Sequence, residues 1–268
     1  MIALALSFLL DLSVKQFYQT TVEIKEYEKR FEFPIDFRKK IEGLLPKKGV
    51  WGIFIKDLNT GSVFSINENL SFPAASLYKV IVVLALYQKA EEKEVDLKQI
   101  VELKSQEVVD ENSIKPGFYT LEKLAELSLK HSDNNAPNAL IRFLGFKEVE
   151  KFKNELGLIH TDLRKNFTTP FDMGILFSKI RDYPQLIDFL TKTAFEDRIP
   201  FYLPEEIKVA HKIGTLNGVY HDAGIIFGKT PFILIILSKG SEKEKAIESI
   251  RNISKYVFEY LNEESKTN

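Results

Sequence analysis

The chain of 268 residues contains no cysteine, which excludes disulfide bonds, thiol nucleophiles and thiolate metal sites. Its formal net charge of −1 gives no electrostatic reason to bind nucleic acid. The four histidines form no metal-spaced pair such as H-E-x-x-H, and neither a G-x-G-x-x-G string nor a P-loop is present. Hydrophobic residues at 44% and charged residues at 28% are ordinary for a globular protein with a sizeable core. We therefore expect no metal and no cofactor.

A long apolar run is also missing. Residues 1–10 are almost wholly apolar, but Asp11 and Lys15 end the run, and a spanning helix needs about twenty residues. Two interpretations stand: the remnant of an export signal or anchor that starts upstream, or an ordinary apolar helix. The charged stretch at residues 21–30 favours the first. We assign residues 1–30 to this segment and residues 31–268 to one folded domain, and we expect an extracytoplasmic protein that is periplasmic, secreted or membrane-anchored.

Strand-like segments lie near both ends of the chain, and helical patterns lie between them. VWGIFIKDL and SVFSI flank an N-T-G turn signal, while KVAHKIGTL, VYHDAGIIFG and PFILIILSKG follow one another near the C-terminus. A final amphipathic helix follows them. The pattern predicts an α/β protein of the α+β type, with one antiparallel sheet from both chain ends covered by terminal helices. An all-helical lobe is inserted at about residues 72–190, and the cleft between sheet and lobe is the expected site.

The stretch FPAASLYKV, residues 72–80, carries a candidate nucleophile and base. Ser76 and Lys79 lie one helical turn apart, so their side chains share a face. The apolar run VIVVLALYQKA follows, and burial of such a helix lowers the pKa of an amine until it can accept a proton. With 16 serines and 30 lysines, chance predicts about two S-x-x-K matches, and the chain has one. The Ser76–Lys79 pair therefore indicates a catalytic role only if other motifs support it.

Two further polar strings lie downstream. S-D-N at positions 132–134 ends a predicted amphipathic helix, where such strings commonly form caps or turns. K-I-G-T at positions 212–215 lies in an otherwise apolar strand, where a lysine beside a glycine commonly faces solvent at a bend. His221, in the next strand, is expected on the strand surface. Each string alone favours a structural role.

Together and in this order, the three strings resemble the penicillin-recognising serine hydrolases, most closely the class A β-lactamases. The flanking strings AASLYKV, HSDNNAPNALI, TTPFDMG and AHKIGT…HDAGIIFG also resemble that family. The resemblance covers roughly residues 34–260. It implies a β-lactamase-like three-layer sandwich with an inserted helical lobe, and a catalytic domain at residues 31–268.

The resemblance implies a role for each matching residue. Ser76 would be the nucleophile that forms an acyl-enzyme, and Lys79 would take part in its activation. Ser132 would relay a proton to the departing nitrogen, and Asn134 would bind the amide side chain of the substrate. Lys212 would supply positive charge for the substrate carboxylate and lower the pKa of Lys79.

The same resemblance implies an oxyanion hole and a carboxylate pocket. The backbone N–H groups of Ser76 and Thr215 would form the oxyanion hole. Lys212, Gly214 and Thr215 would contact the substrate. Ile213 stands where the family usually has threonine, so one hydroxyl for the substrate carboxylate is missing and Thr215 is the expected replacement.

The loop at residues 157–168, GLIHTDLRKNFT, departs further from the family. It is shorter and lacks the Glu-x-x-Leu-Asn string, whose glutamate activates the water that frees the acyl-enzyme. Asp162 is its only acid. The missing glutamate is expected to slow release of the acyl group, but not the acylation of Ser76.

The sequence therefore predicts a serine hydrolase that is acylated at Ser76 by β-lactams and hydrolyses their amide bond with slow deacylation. Two alternatives stay open: a D,D-carboxypeptidase or penicillin-binding protein acting on peptidoglycan peptides, and an envelope protein that binds without turnover. We expect a monomer with a small-molecule substrate and no nucleic-acid partner; the N-terminal segment is a candidate membrane anchor.

Overall fold

The computed structural model describes residues 33–191 and 193–262. The apolar segment predicted at residues 1–30 lies outside these ranges. Among the described residues, no helix combines the length and apolar character needed to cross a bilayer. The described helices are α1 (Ile35–Gly43), α2 (Tyr78–Glu91), α3 (Leu121–Lys130), α4 (Ala136–Leu144), α5 (Phe146–Glu155), α6 (Pro170–Ile180), α7 (Pro184–Phe189) and α8 (Lys243–Asn262), with short 3₁₀ turns at Ala75–Leu77 and Ser105–Glu107.

A five-stranded antiparallel sheet forms the centre of the fold, with the order β2-β1-β9-β8-β7. Ile53 lies opposite Ile236, so the first hairpin pairs with the last strand. This confirms the predicted sheet built from both chain ends. The described strands are β1 (Val50–Asp57), β2 (Val63–Ile66), β3 (Phe72–Pro73), β4 (Ile100–Leu103), β5 (Gly117–Thr120), β6 (Phe167–Thr168), β7 (Lys208–Leu216), β8 (Val219–Phe227) and β9 (Phe232–Lys239).

The terminal helices α1 and α8 cover the outer face of this sheet. Phe37 of α1 and Ile250 of α8 belong to one buried cluster with Leu234 and Ile236 of β9. Alternate residues of β9, such as Ile235, join the core on the other face, because side chains alternate along a strand. Burying one such side chain stabilises the fold by about 1.5–3 kcal/mol. β9 is therefore apolar throughout because both of its faces are covered.

The inserted lobe packs on the inner face of the sheet and is mainly helical, as predicted. Its central helix α2 is buried from Lys79 to Tyr87, which is what an apolar surface on all sides requires. The lobe also carries two short ladders, β3–β6 and β4–β5, which the helical pattern did not indicate. α6 lies directly on β1, since a Cβ atom at Gly174 would come within 2.4 Å of the Phe54 ring.

Short contacts fix the chain just before the predicted nucleophile. A Cβ atom at Gly52 of β1 would lie 2.7 Å from the Phe72 ring and 2.6 Å from Pro170, so β3 lies tightly against the sheet. β7 is an edge strand of the sheet. A Cβ atom at its Gly214 would lie 3.2 Å from Ala75, so the turn at Ala75–Leu77 lies beside this edge. The fold thus brings the first and third sequence strings together.

Candidate active site

Ser76 lies in the 3₁₀ turn that leads into α2, and its side chain is partly exposed. The residue before it, Ala75, has φ +48°, a left-handed conformation that costs a non-glycine residue free energy of order 1 kcal/mol. Two hydrogen bonds secure the approach to this turn: Ala74 N–H donates to the Asn166 carbonyl (2.7 Å), and His221 Nε2–H donates to the Pro73 carbonyl (2.7 Å). The serine therefore sits on a strained turn held from two sides.

His221 is buried, which contradicts its expected place on the strand surface. Its Nδ1 accepts from the Ser238 N–H at 3.0 Å, so Nε2 carries the proton that it donates to Pro73. Burial lowers the pKa of His221 to about 4. The neutral ring serves as a strut between β8 and the segment that precedes Ser76.

Lys79 directs its ammonium group into the helical lobe. Its Nζ donates to the carbonyl oxygens of Ser132 (2.7 Å) and Asp133 (2.8 Å) and to Asn134 Oδ1 (2.7 Å). These three acceptors match the three N–H donors of an ammonium. Burial lowers the pKa of Lys79 to about 8, while the charges of Asp133 and Asp110 act in the opposite direction. Within the described part of the chain, no hydrogen bond joins Lys79 to Ser76.

Lys212 reaches the same segment from β7. Its Nζ donates to Ser132 Oγ at 2.8 Å, so Ser132 binds one lysine through its carbonyl oxygen and the other through its hydroxyl. Ser132 adopts φ +55°, a second left-handed residue in the site. Burial, followed by the charge of Lys79, holds the pKa of Lys212 well below its usual value. Burial is the main cause of the low pKa of Lys79, as the apolar run after it predicted.

Asn135, which sequence reasoning overlooked, fastens the 132–134 segment to a neighbouring loop at residues 109–114. Its Oδ1 accepts from the N–H groups of Val109 (2.8 Å) and Asp110 (3.0 Å), and its Nδ2 donates to the carbonyls of Asp110 (2.8 Å) and Ile114 (2.9 Å). Asp133 adds a bond from the Ile114 N–H to its Oδ2 at 2.8 Å. The sequence does not indicate this role, because the bonding partners of Asn135 lie more than twenty residues away along the chain.

Arg198 was also missed by sequence reasoning. It lies in the connection before β7 and is 3% exposed. Its Nη1 donates to the carbonyls of Gly214 (3.1 Å) and His221, and its Nη2 donates to Thr215 Oγ1 at 2.6 Å. Arginine keeps its charge in proteins, so Arg198 places a fixed positive charge beside the K-I-G-T string. Ile213 is buried and offers no polar group there.

The short loop does not bring Asp162 into the site. Its Oδ1 accepts from the N–H groups of Arg164 and Lys165, each at 3.0 Å, so the carboxylate caps its own turn. Among the described residues, it makes no hydrogen bond or ion pair with Ser76, Lys79 or Ser132. The loop instead braces the nucleophile through the Asn166 carbonyl.

We predict that Asn135→Ala loosens the 109–114 loop, because two N–H donors and two carbonyls lose their partner. The expected loss is about 2–4 kcal/mol in the free energy of unfolding, measured by urea titration. Hydrogen exchange at the Val109 and Asp110 amides should accelerate more than exchange in the central sheet. Asn112→Ala, at an exposed position of the same loop, is the control and should change neither; an equal effect would contradict the role of Asn135.

The sequence of this chain is similar to those of known β-lactamases. The model of the β-lactamase enzyme family matches residues 36–261. The β-lactamase SME-1 of Serratia marcescens is 30% identical over 227 residues, covering 72% of this chain and 76% of the relative. The β-lactamase VEB-1 of Pseudomonas aeruginosa is 26% identical over 265 residues, covering 82% and 89%.

Solved structures give the same answer for the fold. A β-lactamase from Sphaerobacter thermophilus superposes with a TM-score of 0.76 at 22% identity, covering 84% of this chain and 96% of the other. An acyl-enzyme complex of a PBP-A mutant with penicillin G superposes with a TM-score of 0.77 at 25% identity, covering 85% and 97%. The family match over nearly all described residues shows that this chain belongs to the β-lactamase enzyme family, as a class A-like serine hydrolase.

Proposed function

We propose that Ser76 attacks the carbonyl carbon of a β-lactam and forms an acyl-enzyme. The observation that carries the proposal is the convergence of Lys79 and Lys212 on Ser132, beside the strained turn that presents Ser76. Binding alone requires no nucleophile with a low-pKa amine one turn away. A residue held in an unfavourable backbone conformation is also common at catalytic sites.

The proposed proton path starts at Lys79 in its neutral form. It takes the Ser76 hydroxyl proton as the Oγ–C bond forms, and Ser132 Oγ–H donates a proton to the lactam nitrogen as the C–N bond breaks. The Lys79 ammonium then passes the proton that it took on to Ser132 Oγ, while Lys212 Nζ, 2.8 Å from that oxygen, keeps its own proton. The backbone N–H groups of Ser76 and Thr215 stabilise the oxyanion, a contribution of about 3–4 kcal/mol per donor in comparable hydrolases.

The substrate carboxylate binds at the K-I-G-T end of the cleft. Lys212 and Arg198 are the cations proposed to bind it. Gly214 lets the segment before Ser76 lie close to the edge strand, since a Cβ atom there would come within 3.2 Å of Ala75. Thr215 Oγ1 accepts from Arg198, which leaves its own O–H free to donate to the carboxylate. Thr215 in this way replaces the hydroxyl that Ile213 lacks.

We predict that a fluorescent penicillin labels the protein at Ser76 with a stoichiometry of one. Ser76→Ala should abolish labelling, because the ester cannot form without the hydroxyl. Ser178→Ala on α6, whose hydroxyl bonds to the Gly174 carbonyl, is the matched control and should label normally. Unchanged labelling of the Ser76 variant, detected by gel fluorescence and intact mass, would refute the assignment.

The rate of acylation should rise with pH through an apparent pKa near 8, since only neutral Lys79 accepts a proton and its pKa is lowered to about 8. Below that pH, the rate should fall about tenfold per pH unit. Lys212→Ala removes a neighbouring like charge, so the apparent pKa should increase, and this value belongs to the coupled pair. Lys147→Ala, an exposed lysine on α5, is the control. A pH-independent rate from pH 6 to pH 9 would exclude Lys79 as the base.

Release of the acyl group is proposed to be slow. Deacylation needs a base for water, and Asp162 is committed to its own turn. Loss of a general base typically costs about 10²–10⁴-fold in rate, or about 3–5 kcal/mol in the barrier.

We predict a stoichiometric burst of penicillin cleavage followed by a low steady rate, with the adduct visible by intact mass. Asp162→Asn should leave that steady rate unchanged. Rapid steady hydrolysis without a detectable adduct would contradict slow deacylation. A steady rate lost in the Asp162 variant would identify that carboxylate as the missing base.

A second candidate function is D,D-peptidase or penicillin-binding activity on peptidoglycan peptides. The loop without a glutamate favours it, as does the similarity to a PBP-A mutant that forms an acyl-enzyme with penicillin G. Turnover of a D-Ala-D-Ala thioester mimic faster than penicillin would select it. If penicillin forms a lasting adduct and neither penicillin nor the thioester mimic is turned over, the protein is instead an envelope protein that binds without turnover.

We further propose that the enzyme is extracytoplasmic and that a monomer is sufficient for its activity. Both substrate classes occur at the cell envelope, and all the proposed site residues come from one chain. The apolar residues 1–10 are consistent with export or anchoring.

A further inference from the structure

Asp110 lies against the residue that is proposed to bind the substrate's amide side chain. Its Oδ2 accepts from Asn134 Nδ2 at 2.8 Å, while Asn134 Oδ1 accepts from Lys79. The amide of Asn134 is thus held between an ammonium and a carboxylate. One N–H of its Nδ2 remains for the substrate carbonyl, since an amide nitrogen carries two donors.

The geometry of this nitrogen sets the distance between Asp110 and the substrate. The two N–H bonds diverge by about 120°, so two acceptors of one nitrogen lie about 5 Å apart. One acceptor is Asp110 Oδ2 and the other is the proposed substrate carbonyl. The first atom of the acyl side chain beyond that carbonyl therefore lies within about 7.5 Å of the carboxylate.

The carboxylate of Asp110 is rigid and has spare capacity. Its Oδ1 accepts from the Asn112 N–H (2.9 Å), and its Oδ2 also accepts from Ser113 Oγ (3.0 Å). With Asn134, three of about four acceptor positions are used, so one remains. Asn135 fixes the backbone of Asp110 from both sides. The bonds from Asn112, Asn134 and Ser113 lower the pKa of Asp110, so it is ionised at neutral pH.

We propose that Asp110 is a specificity-determining residue. It selects substrates that carry an ammonium group next to the carbonyl of their amide side chain, and it disfavours substrates that carry a carboxylate at that position. This rests on the proposed function, because it takes Asn134 as the side-chain contact. Arg198 lies against Gly214 and Thr215, where the substrate carboxylate is proposed to bind, so the proposed site offers a cation for that carboxylate and Asp110 for the amide side chain.

Three penicillins that differ only in the substituent on a phenylacetyl side chain provide the test. Ampicillin carries an ammonium group, benzylpenicillin a hydrogen and carbenicillin a carboxylate. Since Asp110 is partly exposed and solvent screens its charge, we expect about two- to fivefold faster acylation for ampicillin and a similar penalty for carbenicillin, relative to their intrinsic reactivities. The measured quantity is the ampicillin-to-carbenicillin ratio of second-order acylation rates at Ser76.

Asp110→Asn removes the charge while keeping an acceptor for Asn134, so the ratio should fall about tenfold. Because it compares two substrates in one protein, the ratio is independent of any general change in acylation. Glu111→Gln removes the same charge one residue away, where the carboxylate makes no contact with Asn134, and should preserve the ratio. In the wild-type protein, increasing NaCl from about 0.02 M to about 1 M should lower it, because salt screens exposed charges.

The outcomes separate the two proposals. If all three penicillins label Ser76 and Asp110→Asn leaves the ratio within about twofold of wild type, Asp110 does not select substrates and the proposed function stands. An equal fall in Glu111→Gln would assign the effect to the general field of the loop and also overturn the proposal. If no penicillin acylates Ser76, the proposed function fails and the inference fails with it.

Discussion

The buried ammonium of Lys79 holds the two parts of the site together. An unpaired buried charge costs several kcal/mol, and all three oxygens that compensate it lie in residues 132–134. The first and second sequence strings, at residues 76–79 and 132–134, are therefore joined at the point where chemistry is proposed. Lys212 reaches the same segment from the sheet. Two amines of like charge are thus buried near each other. This arrangement lowers the stability of the fold locally, and it lowers the pKa of both groups so that they can exchange protons.

The sheet and the central helix were predictable because their patterns are strong. β9 and α2 read as continuous apolar runs since neighbours cover them on all sides. The three strings predicted which residues to bring together, and the fold places both Lys79 and Lys212 within hydrogen-bond distance of Ser132. The ladder β4–β5 was missed because strands of four residues offer little periodicity.

Residues whose role depends on position alone could not be predicted. Arg198 acts because its connection passes beside the edge strand, and nothing in its local sequence marks it. Asp110 and Asn135 meet across more than twenty residues. His221 was expected at a surface, but Phe72 and Pro73 pack over its side chain and bury it. These are tertiary facts that a one-dimensional pattern does not contain.

The pairing of β1 with β9 has a consequence for how the protein folds. Val50–Asp57 and Phe232–Lys239 are partners from opposite ends of the chain, and contacts so distant in sequence form slowly because a long loop must first close. During synthesis, the first hairpin waits with one edge unpaired until the final strand emerges, and such edges invite aggregation. The helical lobe consists of contacts nearer in sequence and is free to form in the meantime. β7, which lies beside the turn of Ser76, is therefore linked to the first hairpin only when the last strand, β9, joins the sheet.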